Sequence, residues 1–355
     1  MPTDPRRILL IRPSALGDVC RTVPALVSLR RRWPGAEIHW LVQDSFAEAI
    51  RAHPDLDSVV PFPRGAWRRW WSPRVMWSAT SWLLELRARR YDLVFDLQGL
   101  GRSGLFALAT GAPRRVGFRD ARELGWLGVN RRVDRRGILH TVDQMLALLQ
   151  AEGVPPVADL RLTVAPDGDA AWRERRRSLD LREPYAVLAP TSRWRGKQWP
   201  ADRWAGLSGQ LAAAGLRGRA VVVGAPGEQA QTAWSRGVRQ CVDLCGACTV
   251  GETMAVIRDA ALVVANDSAP LHMAAGMGVP YVGLFGPTDP ERVGPYRGRR
   301  WVLGGPANEE ERRRSYRDVQ DDAIMRRIEV EPVVRLVSEA LAAREWFEAA
   351  AEGRA

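Results

Sequence analysis

Arg7-Ile8-Leu9-Leu10-Ile11-Arg12-Pro13-Ser14-Ala15-Leu16-Gly17-Asp18 reads as a buried strand that passes through a tight loop into a helix. Ile8 to Ile11 form an unbroken apolar run, as expected of a parallel strand covered on both faces. Pro13 and Gly17 punctuate the loop, and a helical pattern follows from Asp18 to about Arg31. The same grammar predicts further strands at Glu37–Val42, Ser58–Pro61, Asp92–Asp96 and Arg115–Phe118. It restarts at Tyr185-Ala186-Val187-Leu188-Ala189-Pro190 and continues with strands at Arg219–Val223, Val242–Leu244, Ala261–Ala265 and Tyr281–Phe285. Helices are expected between them at 201–214, from about 228, at 250–259 and from about 268.

Strands that alternate with helices build a parallel α/β sheet. The two series meet near 165–183, where a charged run suggests a boundary. The sequence thus predicts two facing, doubly wound, Rossmann-like domains, 1–175 and 176–355, with a cleft between them. A last helix opening at Val330 is expected to cross back to the first domain, with the tail from Glu348 frayed. Ligands in such sheets bind beyond the carboxyl ends of the strands, so Asp18, Lys197, Gly224–Glu228 and Asp267 are all placed to line a site.

Composition narrows the class. A 46% hydrophobic and 26% charged chain is globular, and its formal charge of +11 favours polyanionic partners. Its arginines occur along the whole length. No apolar run approaches the roughly 20 residues needed to cross a bilayer, and the first residues lack the apolar stretch of a signal peptide. A cytoplasmic location is the resulting expectation. Four cysteines do not make a disulfide framework. Cys241, Cys245 and Cys248 are close in sequence but lack a neighbouring fourth ligand, so no metal site and no cofactor are expected.

Several positions admit two roles. Lys197 is the chain's single lysine among 52 basic residues. A compact, flexible ammonium differs from a planar guanidinium, so Lys197 is either a chemical requirement or a leftover of an arginine-rich composition. Asp18, at a helix start, suits either an N-cap or a reacting carboxylate. Asn266-Asp267-Ser268-Ala269-Pro270-Leu271-His272 repeats the strand-to-helix arrangement, where unpaired N–H groups attract anions. His272 lies about one turn into that helix, as a structural histidine or as part of the site. Gly286-Pro287 reads as a strand-ending turn. Trp67-Arg68-Arg69-Trp70-Trp71, with Trp77 and Trp82, is either a half-buried helix with solvated arginines or an aromatic and basic surface for bases, sugars or lipid. No nucleic-acid-binding signature accompanies it.

Taken in order, these segments resemble the bacterial heptosyltransferases of glycosyltransferase family 9. Ser14-Ala15-Leu16-Gly17-Asp18-Val19, Tyr91-Asp92-Leu93-Val94-Phe95-Asp96-Leu97-Gln98-Gly99-Leu100, Lys197-Gln198-Trp199-Pro200, Asn266 to His272 and Phe285-Gly286-Pro287-Thr288-Asp289-Pro290 carry the likeness. Trp67-Arg68-Arg69, Asp120-Ala121-Arg122-Glu123 and His140-Thr141-Val142 draw it nearest to the lipopolysaccharide heptosyltransferase I type. The resemblance implies a GT-B fold and inverting, metal-independent transfer of heptose from ADP-heptose to a Kdo-lipid A type acceptor. It implies Asp18 as general base and Lys197 against the leaving diphosphate. Thr191, Ser192, Glu228, Asp267, Ser268, Ala269 and His272 would surround the donor, with Ser14, Arg68, Arg69 and Arg122 on the acceptor. The implied partners are a nucleotide sugar, an anionic glycolipid and, peripherally, the cytoplasmic face of the inner membrane, with no nucleic acid. The alternatives are a family relative with another nucleotide sugar or surface-glycan acceptor, and a catalytically silent polyanion-binding protein on the same scaffold.

Overall fold

The computed structural model describes residues 4–69 and 71–354, except for the side chains of Arg68 and Arg69. The chain divides into two compact units, 1–159 and 160–355.

In the first unit, β1 (Arg7–Ile11), β2 (Glu37–Gln43), β3 (Ser58–Phe62), β4 (Leu93–Asp96), β5 (Arg114–Phe118) and β6 (Arg131–Val133) form one sheet ordered β3-β2-β1-β4-β5-β6. In the second, β7 (Ala186–Ala189), β8 (Ala220–Val222), β9 (Cys241–Asp243), β10 (Leu262–Asn266), β11 (Tyr281–Phe285) and β12 (Val302–Gly304) repeat that order as β12-β11-β10-β7-β8-β9. Every paired strand is parallel, and the central strands β4, β7, β10 and β11 are buried along their whole length. The unbroken apolar runs follow from that burial, since both faces of a parallel sheet are covered by helices.

Some expectations change. The helix expected from Asp18 to about Arg31 is two helices, Leu16–Cys20 and Val23–Arg32. Pro24 has no N–H to give a continuous helix, so it occupies the first turn of a new one. No α-helix lies between Glu228 and β9; Pro226 and Gly227, the latter at φ +89°, make a turn, and only a short 3-10 segment Ala233–Gly237 precedes that strand. The expected boundary at 175/176 falls inside helix Pro166–Ser178. That helix belongs to the second unit, because its Trp172 is fully buried and donates to Asp259 Oδ2 at 3.2 Å. The C-terminal segment is two helices, Val330–Ala342 and Arg344–Ala351. Phe347 of the last helix packs on Tyr281 and Trp301 of the second unit, and Leu160 N–H donates to Ala351 O at 2.8 Å, so the helix is held to Ala351 rather than frayed from Glu348.

One close packing contact fixes the loop after β5. Helix Gly101–Ala109 lies directly against the turn Gly125–Gly128, and a Cβ on Gly104 would run into the Gly125 carbonyl. This approach sets the loop between β5 and that turn, which carries Arg122. Gly104→Ala is expected to destabilise the protein by about 2 kcal/mol, because overpacking outweighs the roughly 1 kcal/mol that alanine contributes to helix propensity. Denaturant unfolding checks this, and an unchanged midpoint would show that the two backbones can part freely.

Candidate active site

In the first unit the strand order reverses between β1 and β4, where Ile11 stands beside Asp96. Loops leaving such a switch point run to opposite sides and open space for a ligand. The loop after β1 carries Ser14 and Asp18. Asp18 is not the N-cap, a position held by Ala15; it reaches back from the first turn to accept the Ala15 N–H at 3.2 Å. Arg12 Nη2 stands 3.1 Å from its Oδ2, and Arg21 pairs with its Oδ1. Burial pushes the Asp18 carboxyl up, but the charges of Arg12 and Arg21 and the Ala15 N–H outweigh it and hold the group far below the usual carboxylate range.

The clamp is itself anchored. Arg12 donates to the Leu97 carbonyl, and Arg21 to Thr141 Oγ1 at 3.1 Å. Buried Asp96 folds the neighbouring loop by accepting the N–H groups of Gln98 and Gly99 and the Ser103 hydroxyl, each at 3.0 Å. Burial raises its carboxyl to about 6 against those bonds. Ser14 N–H lies 3.4 Å from Gln98 Oε1, and Arg122 N–H donates to Gly99 O at 3.0 Å. Ser14, Asp18 and Arg122 are therefore joined through the loop after β4. Arg68 and Arg69 fall outside the described side chains. The role of Arg12 and Arg21 was absent from the sequence reading, although Arg21 stands three residues after Asp18, a spacing that places the two on one helical face.

The pairing has a pH consequence. The folded pKa of Asp18 is depressed below its ordinary 3.8. Its contribution to stability is therefore present above that unfolded value and lost as pH falls through the folded one. Wild-type unfolding midpoints are expected to drop more steeply on acidification than those of Asp18→Asn. Parallel curves would show that the carboxylate lacks this coupling.

The second unit repeats the switch point between β7 and β10, where Ala189 stands beside Ala265. The loop after β7 ends in the 3-10 turn Arg195–Lys197, and the loop after β10 carries Asp267. Lys197 Nζ lies 2.7 Å from Asp267 Oδ2, which also accepts the Thr288 hydroxyl at 2.7 Å. The two side chains are only 12% and 8% exposed, and Nζ stands 4.4 Å from the centre of the Tyr316 ring. Burial raises the Asp267 carboxyl, but Lys197, then His272 and Thr288, bring it below its ordinary value. His272 is buried one turn into helix Ala269–Gly276.

Buried Asn266 ties the two loops together: its Nδ2 donates to Pro190 O at 2.5 Å, and its Oδ1 lies 3.4 Å from Trp199 N. Gln198 donates to Ser192 O at 2.7 Å, and Ser192 N–H to Gln231 Oε1 at 3.0 Å, while Thr191 and Ser192 are themselves buried. Ser268 precedes Ala269 as the N-cap residue, its hydroxyl donating to Asn266 O at 3.2 Å instead of capping the helix. Glu228 braces its own turn by accepting Ala225 N–H at 2.9 Å. Thr288 and Tyr316 join this site without having been singled out; Thr288 stands in the Gly-Pro turn read as a strand terminator, and Tyr316 is distant in sequence from every other member.

An ammonium and hydroxyl beside a buried carboxylate, at the mouth of one nucleotide-type sheet, can meet a phosphorylated ligand. A fixed, ionised carboxylate at the mouth of the other can accept a proton. The profile of glycosyltransferase family 9 (heptosyltransferase) matches residues 80–323. The chain belongs to that family. A lipopolysaccharide heptosyltransferase 1 of Escherichia coli O18:K1:H7 is 29% identical over 316 residues, covering 85% of this chain and 93% of that protein. Lipopolysaccharide heptosyltransferase 2 of Escherichia coli K12 is 26% identical, covering 81% and 85%. An Escherichia coli heptosyltransferase solved with ADP is 25% identical with a TM-score of 0.74, covering 94% of this chain and 99% of that one. This family 9 member is accordingly a glycosyltransferase built on two GT-B-type parallel sheets. Among its described residues no helix is long and apolar enough to cross a membrane, and no cluster of His, Cys, Asp or Glu is arranged to hold a metal.

Proposed function

We propose that the protein transfers heptose from ADP-heptose to a Kdo-lipid A type acceptor, with inversion, at the cytoplasmic face of the inner membrane. The likeness to lipopolysaccharide heptosyltransferase 1 across most of both chains carries this reading. The acceptor oxygen attacks the anomeric carbon as the bond from that carbon to the ADP phosphate oxygen breaks. ADP leaves with the bonding electrons, and the hydroxyl proton passes to Asp18. A carboxylate held by Arg12 and Arg21 is a weak base, yet a hydroxyl already bonding to an electron-poor carbon becomes strongly acidic, so a positioned acceptor suffices. The guanidinium pair keeps Asp18 ionised and aimed.

In the second unit Lys197, with Thr288 and the N–H groups near Ser268 and Ala269, supplies positive potential to the diphosphate as its charge grows. Thr191, Ser192, Asp267 and His272 complete that wall, and Glu228 takes the ribose hydroxyls. Ser14, Arg68, Arg69 and Arg122 hold the anionic acceptor, where the guanidinium fork matches carboxylate and phosphate.

The likeness to heptosyltransferase 2 favours a second reading, in which a family 9 enzyme adds heptose to a different inner-core position. Incubating the protein with ADP-heptose and either Kdo-lipid A or an already heptosylated acceptor separates the two. Product from Kdo-lipid A alone supports the first reading; product only from the heptosylated acceptor replaces it with the second.

A further inference from the structure

Tyr316 reaches the Lys197–Asp267 pair from a segment far along the chain, and that segment is pinned to the site at several points. Helix Glu309–Arg313 opens it. Arg312 Nη1 lies 2.9 Å from Oδ2 of Asp289, the residue after Thr288. Glu311 accepts the Ala307 N–H at 2.8 Å and pairs with Arg327 at 2.6 Å, which draws the two ends of the segment together. Val319 packs against Gly196, where a Cβ would stand only 2.7 Å from its Cγ1. Trp194, in the same loop as Gly196, meets Tyr316 edge to face with ring centres 5.6 Å apart. Residues 309–327 therefore form a strap clipped both to the loop after β7 and to the turn after β11, and the strap sets the Tyr316 ring against the Lys197 ammonium.

The chemistry of the ammonium explains why a ring is useful there. Lysine carries a compact charge on a flexible stem, so one bond to Asp267 Oδ2 leaves it free to swing. A second carboxylate would hold it but would also cancel its charge and repel a phosphate. An aromatic face attracts a cation through its quadrupole while carrying no net charge, so the positive potential offered to an anionic ligand survives. The attraction is largest where water is excluded, and the Lys197 side chain is mostly buried. Guanidinium groups lie over the same aromatic pair: Arg193 stands 5.2 Å from the Trp194 ring centre, and Arg317 stands 5.8 Å from that of Tyr316. Rings covered in this way hold cations and leave little bare face on which a sugar could stack.

We infer that Tyr316 is a positioning residue for the reaction: its ring holds the Lys197 ammonium at the diphosphate, and the strap 309–327 places that ring. The inference rests on the proposed function, which puts the diphosphate of the donor at Lys197.

The test is calorimetric titration with ADP of wild type, Tyr316→Phe and Tyr316→Leu, together with turnover followed by ADP release. Tyr316→Leu keeps apolar bulk without a π face, and is expected to bind ADP about 10-fold more weakly and to lose a similar factor in kcat. Tyr316→Phe restores the face and is expected to recover both to within about twofold. The same Leu substitution is then made in the Lys197→Ala/Asp267→Asn background, which leaves no buried charge unpaired. With no ammonium to hold, its effect on ADP affinity is expected to shrink below about twofold, whereas a loss of mere packing would persist. A Leu variant equal to wild type, a Phe variant as weak as the Leu one, or an undiminished Leu effect in the lysine-free background overturns the inference. ADP binding needs neither heptose nor acceptor. The expected pattern of affinities in a protein that transfers no heptose therefore refutes the proposed function alone, and normal transfer with equal affinities refutes the role of Tyr316 alone.

Discussion

Asp18→Asn is expected to lower kcat by about 10²- to 10⁴-fold, the usual contribution of a positioned proton acceptor, while ADP affinity stays within about twofold of wild type. The amide still accepts the Ala15 N–H, so the local turn keeps its bond. It cannot take a proton, and it leaves Arg12 and Arg21 facing a neutral group. Because ADP binding is assigned to the second unit, calorimetric titration with ADP reports on folding and donor binding independently of the lost carboxylate. Turnover followed by ADP release completes the pair of measurements. An Asp18→Asn enzyme that turns over at the wild-type rate would remove Asp18 from the reaction and leave it as a structural partner of two arginines.

Lys197→Arg is expected to lower kcat by about 10²-fold although it preserves charge, because the proposed diphosphate contact depends on the position of the cation as much as on its presence. The ammonium sits between Asp267 Oδ2 and the Tyr316 ring, and Gly196 just before it packs on Val319 so closely that a Cβ there would clash. A planar fork is wider than this slot. Lys197→Ala removes the cation altogether and strands a buried carboxylate, so it is expected to cost about 3–5 kcal/mol of stability as well as turnover. Combining Lys197→Ala with Asp267→Asn separates the two effects. The double variant should regain stability, since no buried charge is left unpaired, and remain slow. Near-normal turnover by Lys197→Arg would mean that the lone lysine is a residue of composition rather than of chemistry.

The legible parts of the site are those set by local pattern. Ile8 to Ile11 followed by Pro13 and Gly17, and Val263 to Asn266 followed by Ser268 and Pro270, declare strand, loop and helix within about a dozen residues. They therefore placed Asp18 and Asp267 at strand ends without a structure. What surrounds those carboxylates was not legible. Thr288 looked like part of a turn, and Tyr316 lies far along the chain in a segment with no strong periodicity, yet both reach the Lys197–Asp267 pair. The short edge strands Arg131–Val133 and Val302–Gly304 were missed because two arginines in the one and a closing glycine in the other leave no apolar run to read.

The sequence by itself determined the parallel α/β class, the repeated strand-to-helix loops and the identity of the two carboxylates and one ammonium that head them. These are written in hydrophobic periodicity and in turn residues, which act over a few neighbours. Only the tertiary structure decided that Arg12 and Arg21 clamp Asp18, that Asn266 stitches the loops after β7 and β10, and that four of the tryptophans and leucines near residues 77–108 point outward while Trp67 and Trp82 close the core. Each of those outcomes depends on which strands become neighbours. Strand order brings together residues tens of positions apart, and the field at a carboxylate is set by whatever that order places within a few ångströms of it.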